Sequence, residues 1–238
     1  MRSRTVKSSS TGRTRAGPCR VTVVGDTVVS EEGLVAIVAR DKRYVVSGSA
    51  HTFREANKLV QQHPPDLLLI EPFMENQDGI RWIKDLAVKL PRTRILIVSR
   101  QSELMYAERA LRAGASGYWM KNSSAAELMR AIQVVLSGEI YVSPLMGSRA
   151  VQQFAGRERR IRDQLDFLSD RELAIFSLIA AGQGVGEIAR ELGISRKTVD
   201  SHCQNIKAKL DYADAEALRR GARELLGASL RPGPEQRP

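Results

Sequence analysis

The chain has 238 residues, of which 42% are hydrophobic, and a formal net charge of +10. This length allows one or two domains with sizeable cores, and no apolar run approaches the roughly 20 residues of a membrane-spanning helix. The composition therefore excludes a protein with helical membrane spans and predicts one that acts in the cytoplasm, without membrane partners.

The first twenty residues contain six Arg or Lys and no acid. Segment 1–19 lacks the apolar core of a secretory signal, and its Ser, Thr, Gly and Arg content predicts a disordered basic leader. An organellar transit peptide, a nonspecific DNA-binding arm and an upstream start codon are the alternatives. Because most of the charge excess lies in this leader, the net charge alone does not indicate nucleic-acid binding.

From residue 20 to residue 143, short β-branched runs alternate with helical stretches. The alternation predicts an α/β domain with a five-stranded parallel sheet, doubly wound and flavodoxin-like. The predicted strands are 21–24, 44–46, 66–70, 94–98 and 117–120, and the predicted helices are 31–40, 53–62, 79–89, 103–113 and 125–136. Parallel strands end at one edge of the sheet, so we expect Asp26, Glu71, Ser99 and Lys121 to converge there.

The run from Arg109 to Tyr118, followed by Lys121, is similar to the receiver domain of response regulators. In that family an aspartate after the third strand accepts a phosphoryl group from a histidine kinase, and two acids after the first strand hold Mg²⁺. A Ser or Thr after the fourth strand senses the phosphate, and the lysine pairs with it. The resemblance assigns these four roles to the positions of Glu71, of Gly25 with Asp26, of Ser99 and of Lys121.

Two of these positions depart from the family pattern. Glu71 is one methylene longer than aspartate and loses the in-line geometry that phosphoryl transfer requires. Gly25 offers no carboxylate to a metal, so we expect Mg²⁺ binding to be weak or absent and no other cofactor. No grouping of a nucleophile, a base and an orienting residue indicates an enzyme.

We hypothesise that Glu71 reaches toward Lys121 and Ser99 and holds this domain near its active-like state without modification. One alternative is a drifted pocket in which Glu71 is a solvated acid. The other is control by a small ligand in the pocket.

Residues 144–166 contain Gly147, Gly156 and an arginine-rich run, which predicts an exposed linker with room for a short helix. The helical region that follows, residues 167–228, contains a helix-turn-helix pattern. Gly193 can adopt the left-handed turn and Ser195 can cap the second helix. The glycines of 182–186 are predicted to form the turn before the first helix of the pair.

The second helix carries one apolar stripe, which consists of Val199, Cys203, Ile206 and Leu210. An ordinary amphipathic helix at the edge of an all-helical domain has the same pattern. The placement of Cys203 on the stripe favours a small buried hydrophobe over a redox role, as in a reduced cytoplasm.

Several runs in the helical region resemble the DNA-binding domain of LuxR/NarL-type response regulators. They are residues 168–173, 178–182, 187–195, 197–199 and 202–210. The resemblance implies a four-helix helix-turn-helix domain that binds double-stranded DNA as a homodimer. The residues expected to face DNA are Lys197, Thr198, Asp200, Ser201, Gln204 and Asn205, with Lys207 and Lys209 nearer the phosphates.

The final helix is predicted over about residues 213–226, and residues 229–238 are predicted to be a disordered tail. One side of this helix carries Ala217, Leu218, Ala222, Leu225 and Leu226. The resemblance implies that the helix joins two DNA-binding domains. Packing against the first helix of its own domain is the alternative.

These features together predict a DNA-binding transcriptional regulator of the two-component type that works independently of aspartyl phosphorylation. A histidine kinase or another regulatory protein is the further partner expected. The alternatives are a conventional phosphorylation-switched regulator and an adaptor that docks through the α/β domain. The adaptor stays open because residues 167–228 hold nine bases against nine acids.

Overall fold

The computed structural model describes residues 17–74, 79–154, 165 and 167–230. Its first part is a parallel sheet of five strands in the order β2-β1-β3-β4-β5. The strands are β1 (Cys19–Val24), β2 (Tyr44–Ala50), β3 (Leu67–Ile70), β4 (Arg94–Ser99) and β5 (Gly117–Met120). The helices that follow them are α1 (Val28–Ala39), α2 (Phe53–Gln62), α3 (Gly79–Lys89), α4 (Glu103–Arg112) and α5 (Ala125–Ser137). The predicted doubly wound α/β fold is confirmed.

Two element boundaries of the α/β part differ from the prediction by three residues or more, for local reasons. Helix α1 begins at Val28 because Thr27 caps it, with the Thr27 hydroxyl accepting from the backbone N–H of Ser30 at 3.3 Å. Strand β2 continues to Ala50 because it pairs with β1 along its length, with one register shift after Val21.

The sheet is covered on both faces. On one face, residues of β1, β3 and β4 pack with α1 and α5, as Val23 and Leu69 do with Val38 and Ile132. On the other face, the alternate residues of the strands pack with α2, α3 and α4. All four residues of β3 are buried, as expected of a central strand in a parallel sheet.

The segment after α5 returns to the edge of the sheet. Tyr141 pairs with Gly117 beside β5, and the backbone N–H of Ser143 donates to the Glu103 carboxylate at 2.7 Å. Helix α6 (Pro144–Phe154) then occupies the first part of the predicted linker. The rest of that linker, residues 155–164 and 166, lies outside the described residues, as do residues 1–16 of the leader and 231–238 of the tail.

Four helices follow, as predicted: α7 (Asp170–Ala180), α8 (Val185–Glu191), α9 (Arg196–Leu210) and α10 (Ala215–Leu230). Helix α7 starts with a capping box in which Ser169 and Glu172 bond each other's backbone N–H groups. Helix α10 extends to Leu230, so the prediction of a disordered tail from residue 229 was wrong at its start. No helix in the described part of the chain has both the length and the hydropathy of a membrane span.

The apolar side of α10 packs within its own chain. Leu218, Ala222 and Leu226 are buried in the same cluster as residues of α7. The outer side of α10 is charged and exposed, and carries Glu216, Arg219, Arg220, Arg223 and Glu224. The apolar stripe on this helix therefore serves intrachain packing, which was the alternative to dimerisation.

Helix α4 of the α/β part contacts the start of α7. Arg109 donates to the carbonyls of Leu165 and Leu168 at 2.6 and 2.7 Å and to the Asp170 carboxylate at 3.0 Å. Tyr106, one turn earlier on α4, is fully buried in the cluster that both parts share. Arg109 is thus the main polar link between the two parts.

We predict that Arg109→Ala weakens this contact. The substitution leaves two carbonyls and one carboxylate without their charged donor, so the stability of the docked arrangement should fall by about 2 kcal/mol. Calorimetry of the full chain should then show the α/β part and the helical part melting in more widely separated transitions. Arg112→Ala, on the same helix but exposed, is the matched control. Identical melting profiles for Arg109→Ala and the parent would contradict the prediction.

Candidate functional site

The four residues predicted to converge at the carboxyl edge of the sheet do lie together. Glu71 directly follows β3, Ser99 ends β4, Lys121 directly follows β5, and Asp26 lies in the turn between β1 and α1. Each side chain is placed by the end of its strand, so the parallel sheet itself assembles the pocket.

Glu71 lies at the centre of the pocket and is buried, with 4% of its surface exposed. One carboxylate oxygen accepts from the Ser99 hydroxyl at 3.0 Å and from the backbone N–H of Phe73 at 3.3 Å. The other oxygen lies 3.4 Å from the ammonium of Lys121. Glu71 is therefore not a solvated strand-end acid, because its carboxylate is enclosed and bonded on both oxygens.

Lys121 also binds the second acid of the pocket. Its ammonium lies 2.8 Å from one oxygen of Asp26, and Arg100 reaches the other oxygen at 3.2 Å. Arg100, which the sequence did not mark as a pocket residue, follows β4 and closes the outer side. Two acids and two cations thus face one another at the end of the sheet.

The environment shifts the two acids in opposite directions. Burial raises the pKa of Glu71, and the charge of Lys121 with the hydrogen bond from Ser99 offsets this only in part. Burial also acts to raise the pKa of Asp26, but the hydrogen bond and charge of Lys121, with Arg100, outweigh it and lower that pKa.

Asp26 and Glu71 are the carboxylates of this pocket, and the expected weak binding of Mg²⁺ stays a prediction. Gly25 supplies no ligand, and α1 lies close beside it, since a Cβ on Gly25 would lie 3.2 Å from the Cβ of Glu31. The Glu31 carboxylate is turned toward His51, at 2.9 Å. Asp26 and Glu71 are already bound to cations, and no group of three or more potential ligands exists in the described residues.

The helix-turn-helix geometry follows the sequence prediction. Gly193 adopts the left-handed conformation with φ of 63°, and the Ser195 hydroxyl caps α9 by accepting from the backbone N–H of Thr198 at 3.0 Å. Arg171 of α7 donates to the carbonyl of Leu192 at 2.8 Å and ties the turn to the first helix. One prediction was wrong, because Gly186 lies inside α8 rather than in the turn before it.

Helix α9 buries Val199 and Ile206 and half-buries Cys203 and Leu210, so the predicted apolar stripe faces the domain. Six of the residues predicted to face DNA are exposed on its other side: Lys197, Thr198, Asp200, Ser201, Gln204 and Asn205. Lys207 is half-buried at the last turn. The contact between α4 and α7 leaves this outer face uncovered.

Lys209 has a partner that the sequence did not predict. Its ammonium lies 2.6 Å from the Glu172 carboxylate, which also closes the capping box of α7. Glu172 is buried, whereas 40% of the Lys209 side chain is exposed. His202 lies nearby, where burial lowers its pKa, in keeping with helix packing rather than base contact. Lys209 therefore joins α9 to α7, and its role near phosphate stays a prediction.

Comparison with known families places two matches on these two parts. The model described as "Response regulator receiver domain" matches residues 21–133. The model described as "Bacterial regulatory proteins, luxR family" matches residues 166–220. The first range contains the whole pocket, and the second contains the helix-turn-helix.

Individual proteins match along most of the chain. The oxygen regulatory protein NreC of Staphylococcus haemolyticus (strain JCSC1435) is 32% identical over 204 residues, which cover 84% of this chain and 94% of that protein. NreC of Staphylococcus aureus (strain JH9) is 33% identical over 196 residues, which cover 80% of this chain and 90% of that protein.

Solved structures of response regulators also align with this chain. A LuxR-family two-component response regulator from Aurantimonas sp. SI85-9A1 aligns with a TM-score of 0.54 at 28% identity, covering 58% of this chain and 99% of that one. RcsB from Salmonella enterica serovar Typhimurium, bound to the promoter rprA, aligns with a TM-score of 0.58 over 87% of this chain and 99% of that one. At 20% identity the second match shows a shared fold.

The raised pKa of Glu71 makes a prediction about stability and pH. The folded protein binds a proton at Glu71 more tightly than the unfolded chain does, so stability falls as pH rises from the ordinary value of 4.5. Glu71→Gln does not ionise and escapes this loss. The melting temperature of Glu71→Gln relative to the parent should therefore increase as the pH rises above the ordinary value of 4.5. Exposed Glu32→Gln is the control, and a difference that does not change with pH would contradict the prediction.

The contact between Lys209 and Glu172 makes a second prediction. Lys209→Ala should lower the melting temperature of the helical part, at a cost of about 1 kcal/mol, because a buried carboxylate loses its cation. Lys207→Ala, in the same turn of α9, should weaken DNA binding with little change in melting. Equal thermal stability of Lys209→Ala and the parent would exclude the structural role.

Proposed function

Because the chain belongs to the bacterial response regulators of the LuxR family, which bind DNA, we propose that it regulates transcription without aspartyl phosphorylation. The observation that carries the proposal is the set of contacts made by Glu71. Its carboxylate bonds to Ser99 and Lys121, the two residues whose family counterparts contact an aspartyl phosphate. An unmodified side chain thus makes the contacts that phosphorylation would otherwise create.

The rest of the pocket supports this proposal. Phosphoryl transfer depends on a metal ion that neutralises the transferring group. Gly25 lacks a carboxylate and Asp26 is bound by Lys121 and Arg100, so Mg²⁺ should bind weakly or not at all. An incoming phosphoryl group would also meet a site whose acids and cations already balance.

The arrangement of the two parts agrees with a DNA-competent protein. The α/β part contacts α7 through Arg109, while Lys197, Asp200 and Gln204 on α9 stay exposed. A recognition helix enters the major groove with its exposed face, so docking through α7 does not itself block reading. This geometry supports DNA binding by α9 while the α/β part stays docked on α7.

We further infer that the chain acts as a homodimer in the cytoplasm, where a regulator meets the chromosome. RcsB dimers on DNA have been solved, and that protein shares the fold. Because the apolar stripe of α10 is buried against α7, contact between copies would use its charged outer face, where Glu216 and Arg223 offer opposite charges. A histidine kinase or another regulatory protein remains a proposed partner for the α/β part.

The central experiment separates this proposal from a phosphorylation switch. We expect no phosphoryl adduct by intact mass when the full chain is incubated with acetyl phosphate and Mg²⁺, and the same DNA affinity before and after. Glu71→Ala and Lys121→Ala should weaken DNA binding roughly tenfold, since typical coupling between two sites is of that size. The DNA affinity of Glu71→Asp, whose side chain is one methylene shorter, should lie between the affinities of those two variants and that of the parent.

Exposed Glu32→Ala is the matched control for loss of an acid elsewhere in the α/β part. A phosphoryl adduct with increased affinity would instead identify a conventional switch. Parent-like affinity for both Glu71→Ala and Lys121→Ala would identify a drifted pocket. Failure to enrich any sequence from random duplexes would favour the adaptor.

A further inference from the structure

One exposed cation at the start of the recognition helix lies outside the set predicted to contact DNA. Arg196 is the first residue of α9. Its side chain turns back over the first turn of α8, where a Cβ on Gly186 would lie 3.1 Å from Nη2 and 3.3 Å from Nε. The guanidinium therefore lies against α8 instead of following the outer face of α9.

The described contacts do not pair Arg196 with an acid. The nearby glutamates of α8 are occupied by neutral donors. Glu187 accepts from the backbone N–H of Gly184 at 2.8 Å, and Glu191 accepts from the side-chain amide of Gln183 at 2.6 Å. Neither carboxylate forms an ion pair with Arg196 in the described contacts, so its exposed guanidinium N–H groups stay available to an oxyanion.

A second guanidinium lies at the same place. Arg190 bends back along α8, and its Nε donates to the carbonyl of Gly186 at 3.4 Å. Two cations thus meet at one glycine in the first turn of α8. In a helix-turn-helix pair the second helix reads the major groove while the first crosses the sugar-phosphate backbone. Cations held over the first helix are accordingly on the backbone side.

We propose that Arg196 contacts a DNA backbone phosphate and that Gly186 is its positioning residue. Gly186 acts by having no side chain, which leaves room for the guanidinium to lie flat against α8. A guanidinium held in place loses less conformational freedom when it binds an oxyanion, and its paired N–H groups match phosphate geometry. This inference rests on DNA binding by the chain and assigns a specific contact to a cation outside the set of residues predicted to face DNA.

The first test is the salt dependence of binding by the full chain to a mixed-sequence duplex. Each phosphate contact contributes about one unit to the slope of log affinity against log salt. Arg196→Ala should therefore reduce that slope by about one and weaken binding roughly tenfold near 0.1 M salt. The sequences selected from random duplexes should match those of the parent. An unchanged slope, or an altered base preference, would overturn the assignment.

The second test uses Gly186→Ala, which places a methyl carbon 3.1 Å from Nη2 of Arg196, so that the guanidinium must shift by a few tenths of an ångström. The neighbouring atoms are the end of a flexible side chain, and alanine is the better helix former, so this variant should melt no lower than the parent. Its DNA affinity and salt slope should nevertheless fall toward those of Arg196→Ala. Gly33→Ala is the matched control, since its Cβ would meet nothing within 4 Å on exposed α1.

The double variant Gly186→Ala/Arg196→Ala closes the test. If Gly186 acts only through Arg196, the double variant binds as Arg196→Ala does. Additive losses would overturn the positioning role of Gly186. Absence of any salt-dependent binding by the parent would overturn the proposed function as well, whereas a parent that binds and an Arg196→Ala variant with the same slope would overturn this inference alone.

Discussion

The α/β part depends on the compensation of one buried carboxylate. Taking an ionised acid out of water costs several kcal/mol unless charge and hydrogen bonds replace the lost solvation. Around Glu71 that replacement comes from Lys121, Ser99 and the Phe73 backbone, all fixed by strand ends or the loop that follows β3. Lys121 also binds Asp26, so the two acids share this cation.

This pocket is in continuous contact with the DNA-binding helices. Phe73, whose backbone N–H bonds Glu71, packs its ring edge-on against Tyr106 with centroids 4.7 Å apart. Tyr106 lies on α4, one turn before Arg109, which donates to the Asp170 carboxylate at the start of α7. Rearrangement of the Glu71 carboxylate would thus disturb a loop that is packed against the element joining the two parts. These contacts give a physical basis for coupling between the Glu71 pocket and the helical part.

The sequence predicted features that local geometry or strand direction determines. Asp26, Glu71, Ser99 and Lys121 could be placed together because parallel strands end at one edge, and Gly193 with Ser195 because turn and cap requirements are local. Contacts that depend on how helices pack against one another could not be predicted. Lys209 finds Glu172 across 37 residues, and Arg109 finds Asp170 across 61, since both contacts depend on how helices pack. Gly186 was misplaced because the N-cap of α8 is Gly184, which has no side-chain oxygen, so the sequence lacks the Ser, Thr, Asp or Asn that usually marks a helix start.

The chemistry of Glu71 also affects how long the proposed active-like state lasts. An acyl phosphate hydrolyses and so gives a signal a lifetime, whereas a carboxylate that is part of the polypeptide persists as long as the molecule does. For a regulator of the proposed kind, the duration and strength of the response would be governed by how fast the protein is made and degraded. Cellular abundance would then replace reversible chemistry as the controlled variable.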